Sequence, residues 1–202
     1  MICSEIEMAA PATGIADGTT PGTAGPLGGG GVTAAHRQSR GGRIMETLEL
    51  ADSGRRVVVV AVDKGEDAVT AIHQAAQQCD IRGARVTAVG GFRSAEVGYF
   101  DRERRAYDRI PVPEQVEVLS LLGDIADDRG KIALHIHTVL GRRDGTTVGG
   151  HLLHGEVWPT LEVIITEVGA NLTKHVDQET RLALLAPSTD RTPAIAQAHA
   201  GR

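Results

Sequence analysis

Apolar and polar positions along this chain fall into short patterned runs separated by turn residues. Residues 56–62 (R-V-V-V-V-A-V) predict a buried strand. Lys64-Gly65-Glu66-Asp67 then turns into residues 68–79, where Ala68, Ile72, Ala75, Ala76 and Cys79 recur at helical spacing. Glu66 or Asp67 can cap that helix and complement its dipole. Residues 85–89 predict a second strand, broken by Gly90-Gly91, and residues 95–101 a third, with Tyr99 and Phe100 near its end. Arg102-Glu103-Arg104-Arg105 reads as a charged turn, followed by a short strand at 107–110 before Pro111 and Pro113. Residues 115–125 alternate around Glu117, and Asp127-Asp128-Arg129-Gly130 is a turn. Residues 132–140 and 148–153 form a hairpin, and residues 161–168 close the sheet. The pattern predicts one α+β domain over residues 45–186, a mostly antiparallel sheet with one main helix packed on it. No repeat of fixed period is visible.

The ends read differently. Residues 1–43 carry Pro11, Pro21, Pro26 and the run Gly28-Gly29-Gly30-Gly31, with little to bury, so they are expected to be a disordered tail. Patterned sequence begins near Met45, itself a candidate translation start. Residues 187–202 are expected to be a second flexible tail. Aromatic residues are scarce, with one Trp, two Tyr and two Phe, so the core must be aliphatic. Cys3 and Cys79 lie in unrelated contexts and make neither a disulfide framework nor a cysteine zinc site, which suits a reducing cytoplasm. No secretory signal is visible, and no apolar run approaches the roughly 18 residues of a membrane span, so no membrane partner is expected. The net charge of -5 gives no electrostatic footprint for nucleic acid.

The hairpin carries the candidate chemistry. His135 and His137 are two residues apart, so a strand points both to one face. Gly141-Arg142-Arg143-Asp144-Gly145 is a strong turn signal ending in Asp-Gly. A hairpin folded about it brings His151 across from His137. Three imidazoles with one open position are the ligand set of a catalytic-type zinc site. Zinc or a similar divalent transition metal is the expected ligand of His135, His137 and His151, because neutral imidazole suits such ions. His154 has the opposite parity to His151 in a regular strand and joins the site only through a bulge or in a neighbouring subunit.

Other features have plainer readings. Gly149-Gly150 are not followed by a helix N-terminus, so they favour close approach of the backbone to another chain, or a bulge, over a phosphate cradle. Gly90-Gly91 lack the spacing of a dinucleotide fingerprint. Glu117 and Glu162 are expected on a solvent face rather than behind the histidines. Arg102, Arg104 and Arg105 are interleaved with Asp101, Glu103 and Asp108, as in a solvated turn.

Several motifs in order resemble one family. They are Gly65-Glu66-Asp67, Gly98-Tyr99-Phe100-Asp101, the run from Glu117 to Ile125, His135-Ile136-His137, and the run from Gly149 to Val157 followed by Thr160 and Glu162-Val163. Across residues 45–172 the chain resembles the plants and prokaryotes conserved domain, PPC or PCC, of the stand-alone prokaryotic type. The resemblance implies a small α/β domain that assembles as a homotrimer, with members that bind metal through the matching histidines. Plant members carry AT-hooks, whose Arg-Gly-Arg-Pro enters the minor groove. Here the nearest match is Arg40-Gly41-Gly42-Arg43, with an extra glycine and no proline. His154 stands where many relatives carry Glu.

Three functions compete. The favoured one is a homotrimeric metal- or small-molecule-binding module whose biochemical role is open. The second is a zinc-dependent hydrolase or hydratase, since an open histidine site can lower the pKa of bound water to about 7. The third is the DNA-binding regulatory role named for the family. Residues 45–186 hold 16 basic against 22 acidic side chains, which disfavours a nucleic-acid partner.

Overall fold

The computed structural model describes residues 32–40, 43–52, 55–168 and 172–187. They form β1 (Val32–Arg40), β2 (Arg43–Asp52), β3 (Arg55–Val62), α1 (Ala68–Gln78), β4 (Ala84–Asp101), β5 (Ala106–Val112), β6 (Val116–Asp128), β7 (Lys131–Gly141), β8 (Thr147–Glu167), β9 (Leu172–Val176) and β10 (Ala183–Pro187). All ten strands belong to one sheet. Its pairings are antiparallel, save for a parallel contact between Asp127 of β6 and Thr173 of β9. The expected α+β class, with one helix on a mostly antiparallel sheet, describes this architecture.

Two long strands organise the rest. The second half of β8 lies between β3 and β4, with Val163 opposite both Val60 and Ala88. Its first half pairs with β7 on one side and with the far part of β4 on the other. Since β4 also pairs with β6, and β6 with β7, these four strands close a circuit. The outward surface of that circuit carries the histidines.

Gly90-Gly91 do not break a strand. β4 runs straight through them, with register shifts on either side. A Cβ on Gly90 would lie 2.3 Å from the Thr160 carbonyl oxygen, and one on Gly91 2.4 Å from that of Trp158. The glycines admit the backbone of β8 rather than turn the chain. The expected strands at 148–153 and 161–168 are likewise one strand, and the second does not end the sheet, because β9 and β10 follow. Val32–Arg40, expected as tail, pairs with β2. That stretch contains neither Gly nor Pro, so its backbone is free to extend the ladder. The rest of the expected tails, 1–31, 41–42 and 188–202, lies outside the described residues.

The core is aliphatic, as the composition requires. Val58, Val60 and Val62 of β3, Val86 and Val97 of β4, and Leu161, Val163 and Ile165 of β8 are buried with Ile72, Ala75 and Ala76 of the helix. Asp67 caps α1, accepting hydrogen bonds from the Thr70 backbone N–H at 2.9 Å and hydroxyl at 2.7 Å. Glu66 instead accepts from the Asp63 backbone N–H. Phe92 is the largest fully buried side chain, and Gly155 leaves room for its ring: a Cβ there would lie 2.7 Å from Phe92 Cζ. Phe92→Ala is therefore expected to cost about 3–5 kcal/mol of unfolding free energy. Denaturant unfolding followed by circular dichroism measures it, and a loss below about 1 kcal/mol would contradict this packing.

Candidate metal centre

The turn between β7 and β8 is built as the sequence predicts. Asp144 accepts hydrogen bonds from the Thr146 backbone N–H and hydroxyl, and Gly145 takes the left-handed conformation at φ 84°. The Gly145 and Arg142 backbone N–H groups close the loop onto the carbonyls of Arg142 and Thr146. The register that follows sets His137 directly opposite His151. Ile136, Thr138 and Leu140 point into the core, so His135 and His137 point outward.

The three rings meet there. Nε2 of His135 lies 3.2 Å from Nε2 of His137. The centroids of these two rings are 5.0 Å apart, and each is 5.5 Å from that of His151. One nitrogen of each ring lies within 4.8 Å of the others, and among the described residues this is the one cluster suited to a metal ion. Two nitrogens bound to a tetrahedral ion at about 2.0–2.1 Å sit roughly 3.3 Å apart, so the His135–His137 pair already has the spacing. His151 Nδ1 is buried with no hydrogen-bond partner. A buried polar atom left alone is costly, and a cation beside it would remove the cost. The residues present therefore fit such an ion.

Burial and neighbouring charge disfavour the protonated form of two of the rings. Burial, then the neighbouring His135, His137 and Lys174, pushes His151 down to about 4. Burial and then His135 also lower His137. Neutral imidazoles present the lone pairs that a metal needs.

Three neighbours escaped the sequence reading. Tyr107 of β5 stacks on His151, with ring centroids 4.9 Å apart and planes at 25°. Gly98, opposite His151 on β4, makes room, since a Cβ there would lie 2.8 Å from Tyr107 Cδ1. Asp124, opposite His135 on β6, places Oδ2 3.5 Å from His135 Nδ1. The buried Lys174 ammonium lies 2.8 Å from Asp124 Oδ1. Asp124 lies in the stretch that alternates around Glu117, but nothing local marks its partner. Glu117 and Glu162 are exposed, as expected of a solvent face.

His154 does not join the trio. A bulge does intervene, because Glu96 and Val97 pair with His154 and Leu152. His154 turns instead to the helix cap, its Nδ1 2.7 Å from Asp67 Oδ2. Asp67 also accepts from the Gly155 backbone N–H. Burial would raise its carboxyl, but the hydrogen bonds from Thr70 and Gly155 and the nearby His154 hold it below the usual range. Gly149 and Gly150 bring strands together: a Cβ on either would lie 2.6 Å from the carbonyl of Thr138 or Gly98. Beside His137 lies a shallow hollow of about 220 Å³, lined by Ser120, Leu122, Thr138 and Val139 among others.

A closed circuit of strands with a helix over its core and a three-histidine cluster on its outer surface defines a small α+β domain class. The profile of the Plants and Prokaryotes Conserved (PCC) domain matches residues 49–169, well over half of the chain, and the chain belongs to that family. A metal-containing protein from Archaeoglobus fulgidus is 33% identical, with 64% of this chain and 92% of that chain covered at a TM-score of 0.61. A plant- and prokaryote-conserved protein from Pyrococcus horikoshii is 29% identical over 66% and 92%, at 0.62. A candidate DNA-binding protein from Ralstonia eutropha is 25% identical over 65% and 91%, at 0.61. No curated protein matches the chain.

The low His151 value has a sign. Its ordinary value is 6.5 and its folded value about 4, so the unfolded chain binds the proton first as pH falls. The stabilisation is present in full above the unfolded value and is lost as pH falls through the folded one. Metal-free protein is expected to lose stability between about pH 6.5 and 4, and His151→Gln to flatten that slope. Denaturant midpoints across this range, wild type beside variant, measure it. Equal slopes would contradict the assigned burial.

Proposed function

We propose that this protein is a metal-binding module whose ion is held by His135, His137 and His151. The observation that carries the reading is the convergence of three ring nitrogens, one from each histidine, within 4.8 Å. The metal-containing relative from Archaeoglobus fulgidus supports it. Zinc is the first candidate, because three imidazoles and neutral chemistry suit it. An ion held there would supply Lewis acidity. Burial lowers the pKa of His137 and His151, and Tyr107 stacks on the His151 ring.

We also propose that the protein works as a homotrimer. Val89, Leu119, Leu122, Val139 and Ile164 are all more than two-fifths exposed. Leu122 lies opposite both His137 and Thr87, and Thr87 opposite Ile164, so they share the outward face with the histidines. Exposed apolar surface of this kind calls for cover, and further copies of the chain supply it. Cys79 has its thiol pushed up to about 11 by burial, then by Glu49, which suits a thiol idle in a reducing cytoplasm. No described helix is long and apolar enough to cross a membrane. DNA binding is the second reading, favoured by the Ralstonia eutropha relative. The acidic balance of the domain weighs against it.

Metal content by plasma mass spectrometry tests the first claim. Tag-free protein is expected to hold about one zinc-like ion per chain, and His135→Ala/His137→Ala to lose it. No metal in the wild type after zinc incubation would sink the reading. Sedimentation tests the second. Wild type is expected as a trimer and Leu122→Glu as smaller species, while a wild-type monomer would refute the assembly.

A further inference from the structure

A second layer of charge lies behind the histidine trio, and part of it comes from beyond the family match. Asp124 sits on β6 opposite His135, so both side chains point outward. Its Oδ2 faces His135 Nδ1 at 3.5 Å, while His135 Nε2 faces His137. The two nitrogens of His135 thus have opposite assignments: one to a carboxylate, the other to the centre. This is how a carboxylate fixes the tautomer of a metal-ligating histidine and leaves its other lone pair free.

The carboxylate is itself held. Lys174 is buried, and its ammonium lies 2.8 Å from Asp124 Oδ1 in a charge contact not aligned as a hydrogen bond. A buried ammonium is retained only when paired. Its place follows from the ladder. β6 pairs with β4 as far as Ile125 opposite Ala84, and β9 then takes over that edge at Asp127 opposite Thr173. Lys174 is the next residue. The family profile ends at residue 169, so β9 brings an element from outside the matched domain to the back of the site.

We propose that Asp124 is the positioning residue of the metal centre, and that Lys174 of β9 acts through it by fixing the carboxylate. The inference rests on the metal-binding reading of His135, His137 and His151. Lys174 holds Asp124 in the orientation that serves His135. The last hairpin of the fold is thereby tied to metal affinity, though it carries none of the three histidines.

The test compares wild type, Asp124→Asn, Lys174→Met, Lys174→Arg and the Asp124→Asn/Lys174→Met double variant. Zinc affinity is measured by competition with a chromophoric chelator, and ligand geometry by the visible spectrum of the cobalt(II)-loaded proteins. Circular dichroism and sedimentation confirm that each is folded and assembled as wild type. Asp124→Asn, which keeps the shape of the side chain, is expected to weaken zinc binding about 10–100-fold and to change the cobalt spectrum. Lys174→Met is expected to weaken it by a smaller factor, with Lys174→Arg restoring most of the loss. The double variant is expected to be no weaker than Asp124→Asn alone. Wild-type affinity and spectrum in Asp124→Asn would overturn the proposal and leave the metal reading standing. Losses that multiply in the double variant would overturn the claim that Lys174 acts through Asp124. Failure of wild type to bind zinc or cobalt would overturn the metal reading and this inference with it.

Discussion

Pairing of β7 against β8 fixes which side of the sheet each histidine occupies, and the candidate chemistry depends on it. Side chains alternate along a strand, so a slip of one residue would exchange His137 for Thr138 on the outer surface and send an imidazole into an aliphatic core. Two devices hold the register. One is the loop from Arg142 to Thr146, closed by its own backbone and by the Asp144 carboxylate. The other is the alternate burial of Ile136, Thr138 and Leu140, which would be lost on slippage.

The second constraint is closeness. β4 and β8 run side by side for nearly their whole length, and three register shifts bend them around the circuit. Side chains at Gly90, Gly91, Gly98 and Gly150 would collide with backbone or ring atoms of neighbouring strands or with the Tyr107 ring. These glycines allow a sheet that is fully paired on one stretch to roll and meet β7 on the next. Gly98 serves both purposes, since the space it leaves is where the Tyr107 ring lies on His151. Packing and site geometry are therefore one problem here.

Much of this was legible in the chain. The histidine hairpin could be read because all its determinants are local: alternation, an Asp-Gly turn and an i, i+2 pair. The helix was legible for the same reason, with Asp67 at its cap and small apolar residues at helical spacing. Misreadings came where a local breaker served a distant partner. Gly90-Gly91 suggest a chain break, yet they lie within one long strand. Val32–Arg40 lacks a strong apolar pattern yet pairs with β2, since edge pairing needs only backbone groups. Asp124, Tyr107 and Lys174 reach the site through cross-strand pairing or from other strands, and no spacing rule links them to the histidines. Strand parity makes a bulge the condition for His154 to reach the trio, but no spacing points to its pairing with Asp67 across the fold.

The proposed metal centre requires His135, His137 and His151 to act as one ligand set. X-ray absorption on zinc-loaded protein tests this most directly, because it reports the atoms bound to the ion. The predicted result is a shell dominated by imidazole nitrogen at about 2.0–2.1 Å, with the outer-ring scattering of about three histidines. A shell of oxygen alone, or sulfur at about 2.3 Å, would contradict it and return the histidines to a structural role.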